Sequence, residues 1–572
     1  MKLLIKYLHP YRWRMLVGLG IKVTGTLVEL LLPLILTHIL DNVIVSMQIG
    51  RVALYGVLMI LCAMCACACN IIANRMAAKV SMLFAREVRR DLFNRTLHLC
   101  ARDTDRYTIP SLEARITSDT YNVHNFVSMI QRMGVRAPIL LIGGMAISFF
   151  MDAYLSLVML AMLPFIFITV FFISRKGVPL YSRVQTSVDS MVRVVREDVQ
   201  GIRVIKSLSK NEYENRRYDK VNTELSRDER RAGIIMGSVN PIMTMLMNLG
   251  IAGVVALSAQ RIANAESQAT TVIAFMQYFT LISMAMMTLS RVFVSYTKCS
   301  ASAGRITEIL ENPDRFFVTE NSEKRDTGAY IRFENVSFSY YGKKKDIDSL
   351  SFQIGRGEHL GIIGATGSGK STLIKLLMRF YDADEGQIEI GGRNITSYEK
   401  EELNSLFGVA MQYDFLAGDT IRENISFGRG LPLEEVERAA RIAQADGFIT
   451  AIKEGYEYTL AQKGTNLSGG QRQRLLIARA IAARSDILIL DDSSSALDYK
   501  TDANLRRALK KELVGTTVIT VAQRVSTIKD CDLILVIDNG RIIGKGKHDQ
   551  LLLDCPEYKE ISDSQMGGAF VE

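Results

Sequence analysis

The sequence predicts a multidomain chain in which an all-α domain of six transmembrane helices precedes an α/β domain built around a phosphate-binding P-loop. Three observations predict this fold class. Six runs of about twenty apolar residues occur in the amino-terminal half. Short β-rich runs alternate with helical ones in the remainder. A glycine-rich loop there joins a strand to a helix. Because 572 residues exceed what one hydrophobic core holds, we expect domains at 1–311 and 329–572, joined by a linker at 312–328.

The six apolar runs are each long enough to cross a bilayer as a helix. The predicted spans are Met15–Ile44, Val52–Ile72, Val135–Phe150, Tyr154–Ile173, Ile242–Ala259 and Val272–Leu289. The third is the shortest, and Arg136 and Pro138 blur its start. Because only residues 151–153 separate the third span from the fourth, these two are expected to form a hairpin.

Basic residues indicate which connections face the cytoplasm. The amino terminus and the connections after spans two and four carry most of the Lys and Arg residues of the membrane half, whereas the other connections carry almost none. The positive-inside rule therefore predicts a multi-pass plasma-membrane protein with both termini in the cytoplasm, in contact with the lipid bilayer. The net charge of +9 is explained by these flanks, and no nucleic-acid recognition module is visible, so nucleic-acid binding is not expected.

Both inner connections show apolar residues at three- and four-residue intervals with charges between them. This pattern predicts that the membrane helices continue into the cytoplasm as amphipathic rods. No secretory signal is predicted, because the first apolar run is too long and lacks a small-residue cleavage site.

Some polar residues lie inside the predicted spans. Glu29 either meets a cationic solute in a water-filled cavity or is paired with a residue of another helix. Lys22 and His38 are expected near the membrane interfaces, where their side chains can reach water. The cysteines of the second span are interpreted as small packing residues rather than as a metal or redox site. They are Cys62, Cys65, Cys67 and Cys69.

The strand 360–363 runs into a complete P-loop that opens an apolar-periodic helix. Backbone N–H groups of such a loop close around phosphates, and the helix start adds a favourable dipole. Lys370 can bridge the β- and γ-phosphates, and Ser371 can ligate Mg²⁺, so ATP and Mg²⁺ are the expected cofactors. The predicted phosphate-binding residues are Gly364, Ala365, Thr366, Gly367, Ser368, Gly369, Lys370, Ser371 and Thr372.

Two further segments have a related chemistry. The apolar strand 487–490 ends in Asp491, a carboxylate placed to hold Mg²⁺ at the carboxyl edge of a parallel sheet. The segment 466–471 places two glycines before a helix, which again makes an anion site. Because the chain already has one phosphate-binding loop, we expect this second anion site to complete a phosphate-binding site on another subunit.

These motifs, in this order and spacing, resemble the ATP-binding-cassette (ABC) superfamily, and the six spans resemble the type IV exporter membrane domain. The resemblance covers essentially the whole chain. It implies that Tyr340, or failing that Tyr341, stacks on adenine, and that Gln412 reaches Mg²⁺ and the attacking water. It implies two coupling helices near Thr104–Ser111 and Asn211–Tyr218, the second contacting a partner's nucleotide domain. Residues implied to act across a dimer are Ser468, Gly469, Gly470, Gln471 and Asp498.

The sequence departs from the family at the positions of the catalytic glutamate and the switch histidine, which are Asp492 and Gln523. Aspartate is shorter by one methylene, and a glutamine cannot become cationic. Gln462 also replaces a usual glutamate before the signature. An intact signature beside a weakened base resembles the degenerate-site subunit of bacterial heterodimeric multidrug-type exporters. Its expected partner is a second ABC half-transporter.

Two alternatives stay open at this stage: a homodimeric exporter with two slow sites, and an ATP-gated regulatory or channel-like membrane protein. The expected substrate is a hydrophobic or amphipathic small molecule, lipid or peptide, and the motifs do not distinguish among these classes.

Overall fold

A computed structural model describes residues 2–44, 48–263, 269–313, 316–319, 328–342, 344–412 and 414–566. The chain divides into two compact units. The first, the membrane unit, contains residues 1–98 and 107–312; the second, the nucleotide unit, contains residues 99–106 and 313–572. The predicted linker at 312–328 falls largely outside the described residues, so its boundaries stay a prediction.

The described part of the membrane unit is almost entirely helical, and six of its helical stretches are long and apolar enough to span a membrane, which confirms the predicted six-helix architecture. Helices α1 to α11 are Lys2–Leu8, Arg12–His38, Ile49–Leu97, Ala101–Tyr107, Ile109–Ala114, Thr120–Met129, Arg136–Met151, Ala153–Ser207, Asn211–Gly237, Val239–Ala263 and Ala269–Leu310. Of these, α4 belongs to the nucleotide unit, except for its last residue. Short π-helical segments at Ile39–Val43, Arg115–Asp119 and Ile130–Gly134 follow α2, α5 and α6.

The expected extension of the spans into long rods is confirmed. α3 has 49 residues and α8 has 55, about twice what a bilayer needs. The hairpin between the third and fourth spans is confirmed as well. Asp152 separates α7 from α8 and caps α8 by accepting hydrogen bonds from the backbone N–H groups of Tyr154 (3.0 Å) and Leu155 (3.2 Å).

The core of the membrane unit is formed by large side chains from α2, α7, α8, α10 and α11. Tyr278 is fully buried there, and its hydroxyl donates to the backbone carbonyl of Leu30 at 2.8 Å. Small residues let α2 and α3 approach closely: a Cβ on Gly25 would lie 2.8 Å from the Cβ of Cys69.

Two expectations about this unit need correction. The Lys22 side chain does not reach water: it is buried, and its ammonium group donates hydrogen bonds to two asparagine side chains of α3. The segment 104–111 is not one helix, because the chain breaks at Thr108, which has a positive φ of 61°. Pro110 lies in the first turn of α5, where a missing N–H costs nothing.

The nucleotide unit contains two sheets. Strands β1 to β10 are Ile331–Phe338, Ile347–Ile354, His359–Ile363, Glu385–Ile390, Arg393–Asn394, Phe407–Ala410, Ile487–Asp491, Thr517–Val521, Leu533–Asp538 and Arg541–Gly546. The smaller sheet is antiparallel with the order β2-β1-β4-β5. The larger sheet has the order β10-β9-β3-β8-β7-β6, and all its pairs are parallel except β10 with β9.

Helices and strands alternate along this unit, which confirms the predicted α/β class. Helices α12 to α21 are Lys370–Leu377, Lys400–Ser405, Ile421–Ser426, Leu433–Ile442, Asp446–Thr450, Gly469–Ile481, Tyr499–Glu512, Val525–Ile528, His548–Asp554 and Pro556–Met566. The central strands β3 and β7 are almost entirely buried. Strands covered on both faces read as continuous apolar runs, which is why the sequence shows them clearly.

Candidate nucleotide-binding site

The candidate site lies at the carboxyl ends of four neighbouring parallel strands. The P-loop follows β3, Gln523 follows β8, Asp491 ends β7, and Gln412 follows β6, in the order in which these strands lie in the sheet. The strand register places the ends of these strands at the same level along the sheet, because Asp491 pairs with Val521 and Ala410 pairs with Leu490. Residues far apart in sequence therefore meet at one edge, where open α/β sheets bind ligands.

The P-loop turns tightly between β3 and α12, and two of its glycines are required by the local geometry. A Cβ on Gly364 would lie 2.0 Å from the carbonyl oxygen of Ile537. Gly369 has a φ of 106°, where a side chain is strained. The Lys370 ammonium donates to the carbonyls of Gly364 (2.8 Å) and Ala365 (2.7 Å). Burial lowers the pKa of Lys370.

The donor set of this loop fits a triphosphate. The Ser368 hydroxyl is buried and has no hydrogen-bond partner among the described residues. The helix α12 begins at Lys370, so the first N–H groups of the helix face the loop, where an anion is favoured. A cavity of about 320 Å³ opens over them. Its lining contains most of the predicted site residues, namely Thr366, Gly367, Gly369, Lys370, Ser371, Thr372, Gln412, Asp491, Asp492 and Gln523.

Ser371 and Asp491 form the hard-oxygen pair that a magnesium ion prefers. The Ser371 hydroxyl donates to Asp491 Oδ1 at 3.3 Å. Burial raises the pKa of the Asp491 carboxyl, and the Ser371 hydrogen bond opposes that rise. A divalent cation would compensate the buried carboxylate, so the residues present fit Mg²⁺.

Asp492 lies at the centre of a hydrogen-bonded cluster. Its Oδ2 atom accepts from the side-chain amides of Gln412 (3.1 Å) and Gln523 (2.9 Å). Its backbone has a positive φ of 49° and is held by an N–H bond to the carbonyl of Val521 (2.9 Å). Burial raises the pKa of Asp492, while the two amides lower it. One oxygen of this short carboxylate is thus already occupied by two donors.

The adenine-stacking candidates lie just outside this cavity. Tyr340 packs edge-on against Phe338 and Tyr381, and its hydroxyl approaches the Thr372 hydroxyl at 3.3 Å. The ammonium group of Lys375 lies over the Tyr340 ring at 5.6 Å. Tyr341 is 91 % exposed. Stacking on adenine stays a prediction for Tyr340, which is the residue adjacent to the P-loop helix.

The signature residues do not join the P-loop cavity of their own chain. Ser468 and Gln471 form a capping box: the Gln471 N–H donates to the Ser468 hydroxyl (3.3 Å), and the Gln471 side chain accepts from the Ser468 N–H (2.9 Å). Gly469 and Gly470 form the first turn of α17. Asp498 caps α18 by accepting from the Thr501 N–H at 2.9 Å, and this bond lowers its pKa. These groups lie elsewhere on the nucleotide unit.

The sequence motifs do not reveal Gln565, in the carboxy-terminal helix α21. Its side-chain amide donates to the backbone carbonyl of Gln523 and accepts from the N–H of Val525, both at 2.8 Å. Gln565 therefore holds the backbone on both sides of Arg524 and fixes the loop that carries Gln523. A single glutamine far from any motif gives no local signal.

Replacing Gln565 by alanine is expected to increase backbone hydrogen exchange at residues 523–526 about tenfold. The change removes two hydrogen bonds worth about 1 kcal/mol each, of which part is recovered by water. Exchange measured by mass spectrometry tests this. Ser564→Ala is the control, because among the described residues that hydroxyl bonds within its own helix, to the carbonyl of Ile561. Equal exchange in the two variants would contradict the positioning role.

The segment 99–106 belongs to the nucleotide unit although it follows the second membrane span in sequence. The Tyr381 hydroxyl donates to the Asp105 carboxylate. Burial and this carboxylate raise the pKa of Tyr381. The first predicted coupling segment thus starts on a helix, α4, that is anchored to the nucleotide unit. The second predicted segment, Asn211–Tyr218, begins α9 within the membrane unit.

Replacing Tyr381 by phenylalanine is expected to raise amide exchange in residues 99–106 about tenfold. A hydrogen bond to a charged group contributes about 1.5–3 kcal/mol, and each 1.4 kcal/mol corresponds to a factor of ten. Tyr330→Phe is a matched control, since it removes a tyrosine–aspartate bond to Asp486 elsewhere in the same unit. If both variants left residues 99–106 equally protected, Asp105 would not anchor the segment.

A six-helix membrane unit joined to a P-loop nucleotide unit defines a transporter subunit that hydrolyses ATP. The family model of the ABC transporter transmembrane region matches residues 15–286, and the family model described as ABC transporter matches residues 347–495. The chain belongs to the ABC transporter family. It is a half-transporter with one membrane domain and one ATP-binding domain, and a multi-pass plasma-membrane protein.

Relatives match over nearly their whole lengths. An uncharacterised ABC transporter ATP-binding protein of Mycobacterium tuberculosis, MT1311, is 31 % identical over 100 % of this chain and 99 % of its own length. The uncharacterised YfiB of Bacillus subtilis is 32 % identical over 98 % of each chain. A solved bacterial Atm1-family ABC exporter with ATP bound has the same fold, with a TM-score of 0.82, 23 % identity and coverage of 98 % and 99 %.

Proposed function

We propose that this chain is the degenerate-site subunit of a heterodimeric exporter that moves amphipathic or hydrophobic solutes out of the cytoplasm. The observation that carries the proposal is the Gln412–Asp492–Gln523 cluster. Asp492 and Gln523, the two residues that depart from the family, are hydrogen-bonded to each other. The same carboxylate oxygen of Asp492 also accepts from the side-chain amide of Gln412. A base must lie within hydrogen-bond reach of the water that it polarises. This carboxylate is both shorter and already engaged.

The site's residues then divide between binding and catalysis. Lys370 and the loop N–H groups bind the phosphates of ATP, and Tyr340 stacks on its adenine. Ser371, Asp491 and Gln412 would hold Mg²⁺, which neutralises phosphate charge when bound. Asp492 and Gln523 are poor replacements for a base and a cationic switch, so ATP stays bound at this site and is hydrolysed slowly.

The intact signature supports the second half of the proposal. Ser468–Gln471 lies outside the P-loop cavity of its own chain, and its capping box preorganises the first turn of α17. This turn would complete the ATP site of a partner half-transporter, where most hydrolysis takes place. Asp498, at the start of α18, would face the same interface.

Export is supported by the fused membrane and nucleotide units, by the basic inner connections, and by the fold shared with the Atm1-family exporter. In this topology both termini are cytoplasmic. The anchored segment 99–106 would transmit motion of the nucleotide unit to the membrane helices, and the start of α9 would contact the nucleotide unit of the partner.

Purification from native membranes tests the proposal. We expect a tagged chain to co-purify with a different half-transporter in equal amounts, and the isolated chain to hydrolyse ATP at less than about a tenth of the rate of the complex. A matched preparation of Lys370→Ala should retain most of the hydrolysis of the complex. A chain that pairs with itself and hydrolyses ATP rapidly at both interfaces would replace this proposal with a symmetrical pump.

A further inference from the structure

The nucleotide unit contains a second cavity, which the P-loop does not line. Its volume is about 580 Å³, compared with about 320 Å³ for the cavity over the P-loop. All of its lining residues belong to the nucleotide unit, and helix α4 forms one wall, so we call it the α4 cavity. Its lining includes two arginines of α4 and a group of aromatic side chains, namely Arg102, Arg106, Tyr340, Tyr341, Phe380 and Tyr381.

Tyr340 connects the α4 cavity with the cavity over the P-loop. Its side chain lines the α4 cavity, and its hydroxyl lies 3.3 Å from the hydroxyl of Thr372, which lines the P-loop cavity. Edge contacts hold the Tyr340 ring in place, with ring centroids 4.9 Å from Phe338 and 5.1 Å from Tyr381. The two cavities are therefore neighbours, and a nucleotide bound by its phosphates at the P-loop has the α4 cavity within reach of its base.

The walls of the α4 cavity suit a planar aromatic ring. Four aromatic side chains line it, and two of them have uncovered surface, since Tyr341 is 91 % exposed and Phe380 is 41 % exposed. Flat heteroaromatic rings such as nucleobases bind by stacking on aromatic side chains and on the planar guanidinium group of arginine. The cavity offers both kinds of partner.

Contacts within the nucleotide unit fix the two carboxylates of α4 and leave Arg102 available. Asp103 is 2 % exposed and accepts a hydrogen bond from the thiol of Cys100 at 3.1 Å. Asp105 accepts from the hydroxyl of Tyr381. Arg102, by contrast, is exposed and forms no hydrogen bond or ion pair with the residues that the structure describes. The helix is thus anchored through its acidic residues, and the Arg102 side chain lines the cavity.

Arg379 also lines the α4 cavity, but its guanidinium group is already engaged. It is 7 % exposed, and it donates to the carboxylate of Asp382 at 2.8 Å and to the carbonyl of Phe317 at 2.7 Å. It also lies over the ring of Phe316, 4.1 Å from the ring centroid. Arg102 differs from it, because Arg102 can turn toward a ligand without breaking a hydrogen bond or ion pair among the described residues.

We infer that the purine base of the bound nucleotide enters the α4 cavity, where it stacks on Tyr340 and is contacted by the guanidinium group of Arg102. The inference rests on the proposed function, in which the P-loop of this chain binds ATP, and it adds a base-contacting residue on α4. Because α4 begins the first predicted coupling segment, the base would stabilise that segment directly. A triphosphate without a base would bind at the P-loop and leave α4 unaffected.

Photolabelling of the purified full-length chain in nanodiscs tests where the base lies. Without a partner half-transporter, every P-loop in the sample belongs to this chain. The probe is 8-azido-ATP, whose reactive group is on the purine, and mass spectrometry locates the labelled peptides. We expect labels within residues 99–106 as well as around Tyr340, and an excess of ATP should remove both. Labels around Tyr340 without any in residues 99–106 would overturn the inference.

Hydrogen exchange separates the effect of the base from that of the phosphates. We expect ATP to slow amide exchange in residues 99–106 at least about threefold, because a bound ligand opposes local opening of the segment that it contacts. Tripolyphosphate, which has no base, should slow exchange in the P-loop but not in residues 99–106. Equal protection of residues 99–106 by both ligands would contradict a contact between the base and α4.

Arg102→Gln is expected to raise the Kd for ATP about fivefold and to leave the Kd for tripolyphosphate unchanged, as for the loss of one cation–π contact. Arg102→Lys, which keeps the charge and loses the planar group, should lie between the two. Arg507→Gln is the charge-matched control, because Arg507 is exposed on α18 and lines neither cavity. Equal effects of Arg102→Gln on both ligands, or equal effects of Arg102→Gln and Arg507→Gln on ATP, would overturn the inference. Rapid hydrolysis by the isolated chain would refute the proposed function and leave these binding results unchanged.

Discussion

Replacing Gly469 by aspartate is expected to reduce ATP hydrolysis by the assembled transporter about 100-fold or more. The substitution places a carboxylate in the first turn of α17, where the proposed interface brings the partner's bound triphosphate. Two like charges about 4 Å apart repel by about 4 kcal/mol at an effective dielectric constant of 20, and screening reduces the rate effect from the full thousandfold. Steady-state hydrolysis by the purified complex measures the loss.

The structure also argues that this variant folds. A Cβ on Gly469 has open space, since the nearest group is Ala496 at 4.0 Å. An acidic residue in the first turn of a helix is stabilising, because it complements the helix dipole. Gly469→Ala, which adds the Cβ without the charge, is therefore the matched control and should retain at least about half of the activity. Similar activity in the two variants would show that the signature does not approach a triphosphate.

The second large effect is a gain. Replacing Asp492 by glutamate and Gln523 by histidine together is expected to increase ATP hydrolysis at this chain's own P-loop about tenfold. Glutamate carries its carboxylate one methylene farther, away from the shared hydrogen bonds to Gln412 and residue 523, and a positioned base contributes about 10²–10⁴-fold to such reactions. The expected gain is smaller because the partner supplies the rest of the site.

The source of the gained activity can be assigned. Adding Lys370→Ala should remove the gain and leave the original activity of the complex, because Lys370 serves only this chain's P-loop. Asp492→Asn with Gln523→His is the matched control, which keeps the size of residue 492 and lacks a base. An unchanged rate in the glutamate–histidine variant would contradict the proposal that this site is weakened by these two residues.

The sequence predicts the fold well where signals are local and continuous. Six long apolar runs and the buried strands of the larger sheet identify both units. Each of these segments is surrounded by lipid or protein, so it must be apolar along its whole length, and this shows in the sequence of that segment alone. The P-loop is also a single segment, in which Gly364 and Gly369 are needed for backbone reasons that act within a few residues.

Contacts between distant residues could not be predicted. The family positions point to Gln412, Asp492 and Gln523, but only the strand order brings their side chains onto one oxygen atom. Glu29 and Arg136 are 107 residues apart, and no local pattern specifies their pairing. Gln565 and the break at Thr108 were missed for a related reason. The first depends on where α21 packs, and the second on a backbone conformation that a threonine rarely adopts.

Residues 99–106 belong to the nucleotide unit, although they lie within the membrane half of the sequence. This limits where the chain can be cut when its nucleotide domain is exchanged. A fragment that starts after residue 312 loses the aspartate that Tyr381 binds and uncovers the surface beneath α4. A chimera with the nucleotide domain of a relative therefore needs this eight-residue stretch to be exchanged as well. The nucleotide unit is encoded by two separate segments, 99–106 and 313–572. A single recombination event at the linker would therefore combine a segment 99–106 from one parent with a Tyr381 region from the other.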